Sequence, residues 1–237
     1  MHKGRINIES ILPTEEEILI QQGIPENSNT SDNVMQIVKQ AVDILRSTAD
    51  PEFVLKEISI DDFKIIFRGE GKNDPESPVK KIFHAADKMA LYACTLGALI
   101  SNKIENFFGT NDFAIASILD SAASIAADKS AEYLENLFYN ELSKTKMRKT
   151  DSLVLAYSPG YCGWDISGQG KLFGYLNPGE IGIKLSKSYL MTPIKSVTGV
   201  LICGDKDIHI FESSFNFCRY CKSQSCYERI KKILKTN

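Results

Sequence analysis

Several features that would assign a class of protein directly are scarce in these 237 residues. Lys and Arg total 28 against 30 Asp and Glu, so no basic field favours nucleic acid or an anionic membrane. The longest apolar run, Met89 to Ile100, is too short and too interrupted to span a bilayer. The first twenty residues are acidic and lack the apolar core of a secretory signal. We therefore expect a cytoplasmic protein that has neither nucleic acid nor membrane as a partner.

Side-chain groupings typical of acid–base or nucleophilic catalysis are also missing. The chain has only three histidines, and His84 has no second histidine or carboxylate at ligand spacing. No carboxylate dyad and no Ser-His-Asp arrangement stands out. We predict no catalytic residue, and whether the protein is an enzyme stays open at this point.

Apolar spacing predicts an α+β (mixed α/β) fold in one domain, with a twisted, mainly antiparallel sheet and helices packed on it. Residues 1–50 are predicted to be an N-terminal helical segment of this domain, 51–212 its core, and 213–237 a cysteine-bearing tail and helix. Asp61-Asp62 and Gly204-Asp205 resemble hairpin turns. The predicted strands are 54–60, 63–67, 89–96, 152–157, 197–203 and 208–211.

The loop that follows the predicted strand 152–157 has the composition of a binding loop. It contains Ser158, Pro159, Gly160, Tyr161 and Trp164. Glycine allows backbone to approach a ligand closely, and the aromatic rings offer flat apolar faces with a polar edge. A strand followed by a glycine loop and a helix is a common way to build a site, although an ordinary connecting loop would look the same.

Two carboxylates on the longest predicted helix, 112–142, form a second candidate feature. Asp128 and Glu132 are spaced i, i+4 and therefore share one face of this helix. They could hold the amine of a ligand, or they could simply face water.

Three cysteines near the end of the chain form a C-x2-C-x4-C pattern. Thiolates at this spacing are typical of zinc sites and iron–sulfur clusters, both of which normally need a fourth ligand. A redox pair or free thiols are the alternatives. The three are Cys218, Cys221 and Cys226, and the candidates for a fourth ligand are Cys203, Cys162, His209 or an outside group.

Four short motifs occur in the order and at the spacing found in one known family. The chain resembles the activation (reactivation) domain of cobalamin-dependent methionine synthase, closely over about 150–205 and more weakly over about 10–135. The motifs are Gly160-Tyr161, Leu172-Phe173, the segment 181–188, and Met191-Thr192-Pro193 followed by Ser196-Val197-Thr198-Gly199.

The resemblance implies a role in binding S-adenosylmethionine and in restoring the reduced, methylated cobalt of cobalamin. Gly160 and Tyr161 would shape the pocket, with support from Ser158, Pro159 and the segment 196–199. The family has a similar Asp-x-x-x-Glu helix, to which Asp128 and Glu132 correspond. Ala156 stands where the family has an arginine, which would grip a carboxylate through two hydrogen bonds. No Asp-x-His-x-x-Gly motif occurs, so cobalamin would be bound only by a partner.

Three hypotheses for the function follow from these observations. The first is an accessory protein that acts in trans on a corrinoid methyltransferase, with a flavodoxin or ferredoxin as electron donor. In the second, the cysteine tail holds an iron–sulfur cluster and the protein itself delivers electrons to a corrinoid protein. The third is a zinc-stapled docking module that no longer binds S-adenosylmethionine.

Overall fold

An antiparallel five-stranded sheet forms the centre of the protein. The computed structural model describes residues 1–26, 28–144 and 152–211, together with Cys218, Ile230, Lys231, Ile233 and Leu234. Every neighbouring pair of strands in the sheet is antiparallel, which confirms the predicted fold class. In sheet order the strands are β1 (His2–Arg5), β2 (Glu52–Glu57), β3 (Lys88–Thr95), β7 (Ser196–Asp205) and β4 (Ser152–Tyr157). A separate small ribbon pairs β5 (Lys184–Leu185) with β6 (Met191–Thr192).

Helices cover both faces of the sheet. Helices α1, α2, α5 and α6 pack on one face, and α3, α4 and α7 pack on the other. Among the described residues no helix is long and apolar enough to cross a membrane. The helices are α1 (Glu15–Gln21), α2 (Asp32–Thr48), α3 (Ile60–Arg68), α4 (Pro78–His84), α5 (Ala98–Gly109), α6 (Phe113–Lys144) and α7 (Gly168–Leu176), with 3-10 helices at Ile8–Ser10, Pro178–Ile181 and Lys206–His209.

The continuous apolar run in β3 is explained by burial on both faces. Tyr92 and Cys94 pack into the core on the α6 side, whereas Leu91 and Ala93 pack into the core on the α3 side. Successive side chains of a strand point to opposite faces, so a strand covered on both sides has no polar alternation. The small residues of α6 face this sheet, and several of its alanines are fully buried.

Two predicted strands are helical instead. Residues 63–67 belong to α3, where Phe63, Ile66 and Phe67 are buried at helical spacing. The hydroxyl of Ser59 accepts a hydrogen bond from the backbone N–H of Asp62 at 3.1 Å, so this segment begins with an N-cap rather than a hairpin turn. The second predicted strand, 208–211, overlaps the 3-10 helix Lys206–His209. Asp205 caps this helix, because its side chain accepts a hydrogen bond from the backbone N–H of Asp207 at 3.0 Å.

The N-terminal segment 1–50 is not purely helical, because it opens with β1. This strand pairs with β2 at the edge of the sheet, and most of its residues are exposed. It therefore has no alternation of apolar and polar residues that could indicate a strand. The predicted helices of this segment are confirmed as α1 and α2.

Glu17 links α1 to α6 through charge. Its carboxylate accepts from the backbone N–H of Thr14 at 2.7 Å and from Lys129 Nζ at 2.7 Å. Partial burial opposes ionisation, but the hydrogen bonds from Lys129 and Thr14 outweigh it and lower the pKa of Glu17. A carboxyl whose pKa is lowered by folding stabilises the protein above its unfolded pKa, and this contribution disappears as pH falls through the folded pKa.

Glu17→Gln should therefore reduce the free energy of unfolding near neutral pH by about 0.5–1 kcal/mol, because the pair is partly exposed. The difference from the wild-type protein should vanish once Glu17 is protonated. Urea unfolding at about pH 7 and about pH 3 measures both values. Glu16→Gln, at an exposed position one residue earlier, is the control and should have little effect at either pH.

Candidate functional site

The loop after β4 carries a tyrosine to the surface. Gly160 has a φ of 93°, a left-handed conformation that favours glycine. The loop is closed by two backbone hydrogen bonds, from Gly160 N–H to the Trp164 carbonyl at 2.7 Å and from Trp164 N–H to the Tyr161 carbonyl at 2.9 Å. The Tyr161 residue is 49% exposed. The loop thus exposes Tyr161 to solvent, and its role in binding a ligand stays a prediction.

Trp164 anchors this loop in the core and does not present an open face. Its residue is only 1% exposed, and its ring lies 5.4 Å from the ring of Phe63 and 5.9 Å from that of Phe67. Gly168 lies against the indole, where a larger residue would overlap with it. Pro159 is buried as well. Of the predicted loop residues, Gly160 and Tyr161 are therefore the ones available to a ligand, and Ser158 is half-buried.

A residue of the central strand β3 holds Ser158 in position. Its hydroxyl lies 3.2 Å from the hydroxyl of Tyr92, which reaches past Gly199 on β7. A side chain at Gly199 would overlap with the carbonyl of Tyr157 and approach the Tyr92 ring. The absence of a side chain at 199 therefore lets β3 hold the start of the loop.

Loss of the Tyr92 hydroxyl should weaken this support without disturbing the apolar packing. We expect Tyr92→Phe to lower the free energy of unfolding by about 1 kcal/mol, typical of one hydrogen bond. Ser158→Ala should be equivalent, and the double variant should cost less than the sum of the two. Denaturant titration of all three measures this coupling. Tyr133→Phe, whose hydroxyl has no hydrogen bond to another described residue, is the control; strict additivity would contradict the account.

The carboxylates of α6 face the same end of the sheet. Glu135 accepts a hydrogen bond from the backbone N–H of Ala156 at 2.6 Å, on the edge of β4 that faces away from β7. Asp128 is close enough to Cys94 on β3 to act on its thiol. Glu132 lies between these two points on the helix. The stripe of Asp128, Glu132 and Glu135 therefore runs beside Ala156 and the start of β7.

Lys195 connects α6 to the start of β7. Its Nζ lies 2.8 Å from Asp120 Oδ1 and 2.7 Å from the hydroxyl of Ser124, and the residue is 8% exposed. The neighbouring Ser196 hydroxyl bonds within the same turn, 2.7 Å from the carbonyl of Pro193. The Ser124 contact lies one helical turn before Asp128 and the ion pair with Asp120 about two turns before it, so Lys195 holds this end of the carboxylate stripe against the sheet.

The surroundings of Asp128 disfavour its ionisation. The pKa of Asp128 is raised although the residue is exposed, first because nearby protein displaces part of the water around the carboxyl group and second because Glu132 repels its charge, while Lys195 opposes both effects. Burial raises the pKa of the Cys94 thiol to about 12, so this thiol is neutral at physiological pH. A carboxyl with a raised pKa close to a surface loop is one indication of a functional site.

Some contributing residues could not be found from the sequence. Tyr92 is hidden in an apolar run, and Lys195 lies in a short connection without periodicity. Gln169 accepts from the buried hydroxyl of Thr198 at 2.6 Å and holds the start of α7 against β7, a contact that depends on tertiary structure. The spacing of Asp128 and Glu132 at i, i+4 was the sequence signal that indicated this part of the candidate site.

The predicted metal ligands are only partly described. Cys203 is fully buried in the core on the α6 side, and Cys218 is half-buried. Cys221 and Cys226 lie outside the described residues. Cys162 is half-buried in the loop, and His209 is buried with its Nδ1 2.8 Å from the hydroxyl of Tyr157. Within the described part of the chain, no three His, Cys, Asp or Glu side chains are grouped to hold a metal. The zinc or iron–sulfur site stays a prediction.

A surface depression of about 330 Å³ lies elsewhere on the molecule. Its lining includes Glu57, Ser59, Asp87 and Lys88, at the opposite end of β3 from Tyr92 and the loop. It brings no carboxylate stripe, glycine loop or exposed aromatic side chain together. We therefore place the candidate site at the end of the sheet that the β4 loop and the carboxylates of α6 share.

Known proteins of similar sequence or structure have the same mixed α+β fold. The family profile described as vitamin B12 dependent methionine synthase, activation domain, matches residues 29–213. The chain belongs to this family. No curated protein matches it significantly. Among solved structures, the MetH reactivation domain bound to AdoHcy is similar, with a TM-score of 0.61 and 15% identity over 99% of this chain and 89% of that chain. At this identity the likeness establishes the shared fold.

Proposed function

We propose that the protein binds S-adenosylmethionine at the end of the sheet that the β4 loop and the carboxylates of α6 share, and that it acts in trans to reactivate a cobalamin-dependent methyltransferase. The observation that carries the proposal is that an exposed glycine–tyrosine loop and two carboxylates lie at the same end of the sheet. An exposed Gly160-Tyr161 loop lies at the same end as Asp128 and Glu132, in a chain that belongs to the activation-domain family. The solved relative of this fold binds an adenosyl ligand.

The residues at this place fit such a ligand. Ala156 and Val197 are half-buried and form an apolar floor on the α6 side. Tyr161 offers a flat, exposed ring for a nucleoside, and Gly160 leaves room for close approach. Asp128 and Glu132 supply negative charge opposite a sulfonium or ammonium group. In this proposal the side chains bind the ligand and orient it.

The chemistry of reactivation comes from the cofactors. Gly160, Tyr161, Asp128 and Glu132 would hold S-adenosylmethionine, which would supply the methyl group to the partner's cobalamin, and a flavodoxin or ferredoxin would supply the electron. The protein has to hold the methyl donor in one orientation and exclude side reactions. No acid, base or nucleophile is required from its side chains, which agrees with the chemistry predicted from the sequence.

Exposed apolar side chains beside the site support action on a separate protein. Leu99 follows β3, Tyr161 follows β4, and Ile194 precedes β7, so all three adjoin the same end of the sheet. Leu99 and Ile194 are each 65% exposed. Such side chains around a ligand site are typical of an interaction surface. We assign the cobalamin-binding partner to this surface.

The proposal is tested by transfer of a labelled methyl group. A cobalamin-loaded methyltransferase in its oxidised form is mixed without oxygen with flavodoxin, a reductant and methyl-labelled S-adenosylmethionine. Label should reach the cobalamin much faster when this protein is added. Tyr161→Ala should lower the rate about tenfold, equivalent to 1.4 kcal/mol of binding or orientation. Equal transfer with and without the protein would show that it does not have this function.

A further inference from the structure

A tight turn determines where Tyr161 lies in the β4 loop. Cys162 and Gly163 form the centre of this turn, with φ values of 52° and 72°. The N–H of Trp164 closes it on the Tyr161 carbonyl at 2.9 Å. Two consecutive positive φ values are typical of a type I′ turn, for which Asn-Gly is a preferred pair. A cysteine is poorly suited to it, because its Cβ makes left-handed backbone unfavourable. The turn therefore needs support from outside its own sequence.

The segment between α3 and α4 supplies this support. The carbonyl of Cys162 accepts a hydrogen bond from the Ser77 hydroxyl at 2.7 Å. The carbonyl of Gly163 accepts one from the backbone N–H of Asp74 at 2.9 Å. The segment is closed by a hydrogen bond of its own, from the N–H of Ser77 to the carbonyl of Asp74 at 3.0 Å. Both carbonyl groups of the left-handed pair are thus held by one short turn in a distant part of the chain.

Ser77 does not serve the helix that it precedes. It is the N-cap residue of α4, where a serine side chain normally accepts a hydrogen bond from the first helical turn. Among the described residues its hydroxyl makes no such cap and donates to Cys162 instead. Ser59 behaves differently, because it caps α3 by accepting from the N–H of Asp62 at 3.1 Å. A side chain that departs from its local preference in favour of a distant contact is expected at functional sites.

Asn73 holds the other end of the loop. Its side-chain oxygen accepts from the backbone N–H of Asp165 at 2.8 Å, and its side-chain nitrogen donates to the carbonyl of Phe67 on α3 at 2.5 Å. The loop backbone is therefore bonded to the segment between α3 and α4 on both sides of the buried Trp164. Tyr161 is exposed on a loop that this segment holds in one shape.

We infer that Ser77 is a positioning residue: its hydroxyl holds Cys162 in the left-handed conformation and thereby sets the position of the Tyr161 ring in the site. The inference rests on the proposed function, because it takes Tyr161 as a contact of S-adenosylmethionine. Ser77 is only 4% exposed and acts through the turn. Without its hydroxyl, Cys162 relaxes towards ordinary backbone conformations, and Tyr161, whose carbonyl is bonded in the same turn, moves with it.

Ser77→Ala should weaken the binding of S-adenosylmethionine about fivefold in a calorimetric titration, because the ring no longer has one fixed position. Ser59→Ala is the matched control, since it changes the N-cap serine of α3. It should lower the Tm by about 2–4 °C and leave the affinity unchanged. In a Tyr161→Ala background, Ser77→Ala should cause no further loss of affinity, since the ring that it positions is gone. Additive losses would show that Ser77 does not act through Tyr161.

Cys162→Asn tests the role of the left-handed conformation. An asparagine before Gly163 forms this kind of turn readily without outside support. Cys162→Asn combined with Ser77→Ala should therefore regain most of the affinity that Ser77→Ala loses. If the combined variant binds as weakly as Ser77→Ala, Ser77 does not act by holding this conformation and the inference is wrong.

Hydrogen exchange at the Trp164 amide separates this inference from the proposed function, because it reports on the turn without a ligand. Ser77→Ala should speed this exchange about tenfold, and Cys162→Asn should reverse the change. An exchange rate that Ser77→Ala leaves unchanged overturns the inference while the adenosyl-ligand site stands. If the exchange responds as expected but the wild-type protein does not bind S-adenosylmethionine, the proposed function fails, whereas the control of the turn by Ser77 is upheld.

Discussion

Gly199→Ala is expected to lower the free energy of unfolding by about 3 kcal/mol, the upper range for overpacking a well-filled interior. Gly199 is buried in the middle of β7, opposite Tyr92 on β3. A methyl group there would overlap with the backbone carbonyl of Tyr157 and crowd the hydroxyl of Ser158. Backbone in the centre of a paired sheet cannot move aside, so the two strands would have to separate at the candidate site.

Thermal or urea unfolding measures the effect, and Gly174→Ala is a matched control. Gly174 lies within α7, and an added methyl group there meets no atom within 4 Å. In a helix this change should stabilise the protein by up to about 1 kcal/mol. If Gly199→Ala unfolds at the wild-type denaturant concentration, the close approach of β4, β7 and Tyr92 described above is wrong.

Asp128→Asn is expected to weaken ligand binding while it slightly stabilises the fold. The pKa of Asp128 is raised in the folded protein, so its ionised form is disfavoured by folding at neutral pH. The amide has no charge to lose, and because the residue is exposed we expect a rise in Tm of only about 1 °C for a chain of this size. This gain should shrink as pH falls through the raised pKa, because the wild-type carboxyl then becomes neutral as well.

The affinity of the same variant for S-adenosylmethionine should fall about tenfold, since one of two carboxylates opposite the cation is removed. Calorimetry and thermal unfolding on a single preparation give both results. A variant that is more stable but binds the ligand less tightly would indicate that Asp128 serves binding rather than stability. A variant that is less stable and binds less tightly would instead show that Asp128 is structural.

Long, periodic elements of the fold were predictable from the sequence because their periodicity is set by burial. The apolar run of β3 and the alanine-rich α6 were identified with nearly correct limits. Residues 63–67 were misassigned because a five-residue apolar stretch fits either period, and the contact that decides it is the Ser59 cap. β1 was missed because its pairing with β2 carries its stability while its own side chains are mostly exposed.

The candidate site was predictable only in its local motifs. Gly160, Tyr161, Asp128 and Glu132 follow from loop chemistry, helical spacing and resemblance. Their placement at one end of the sheet depends on the path of α6 across it, which is fixed by Lys195 and by Glu135. Contacts between residues so far apart along the chain, such as Lys195 with Asp120, cannot be recognised from the pattern of a single sequence.

We expect this chain to bind an adenosyl methyl donor although an alanine stands at position 156. The most direct measurement is a calorimetric titration of anaerobically purified protein with S-adenosylmethionine. The account predicts saturable binding at tens of micromolar or tighter, roughly −6 kcal/mol or more favourable, and about tenfold weaker binding by Asp128→Asn. No binding at millimolar ligand would contradict it and would leave a family fold without its methyl donor.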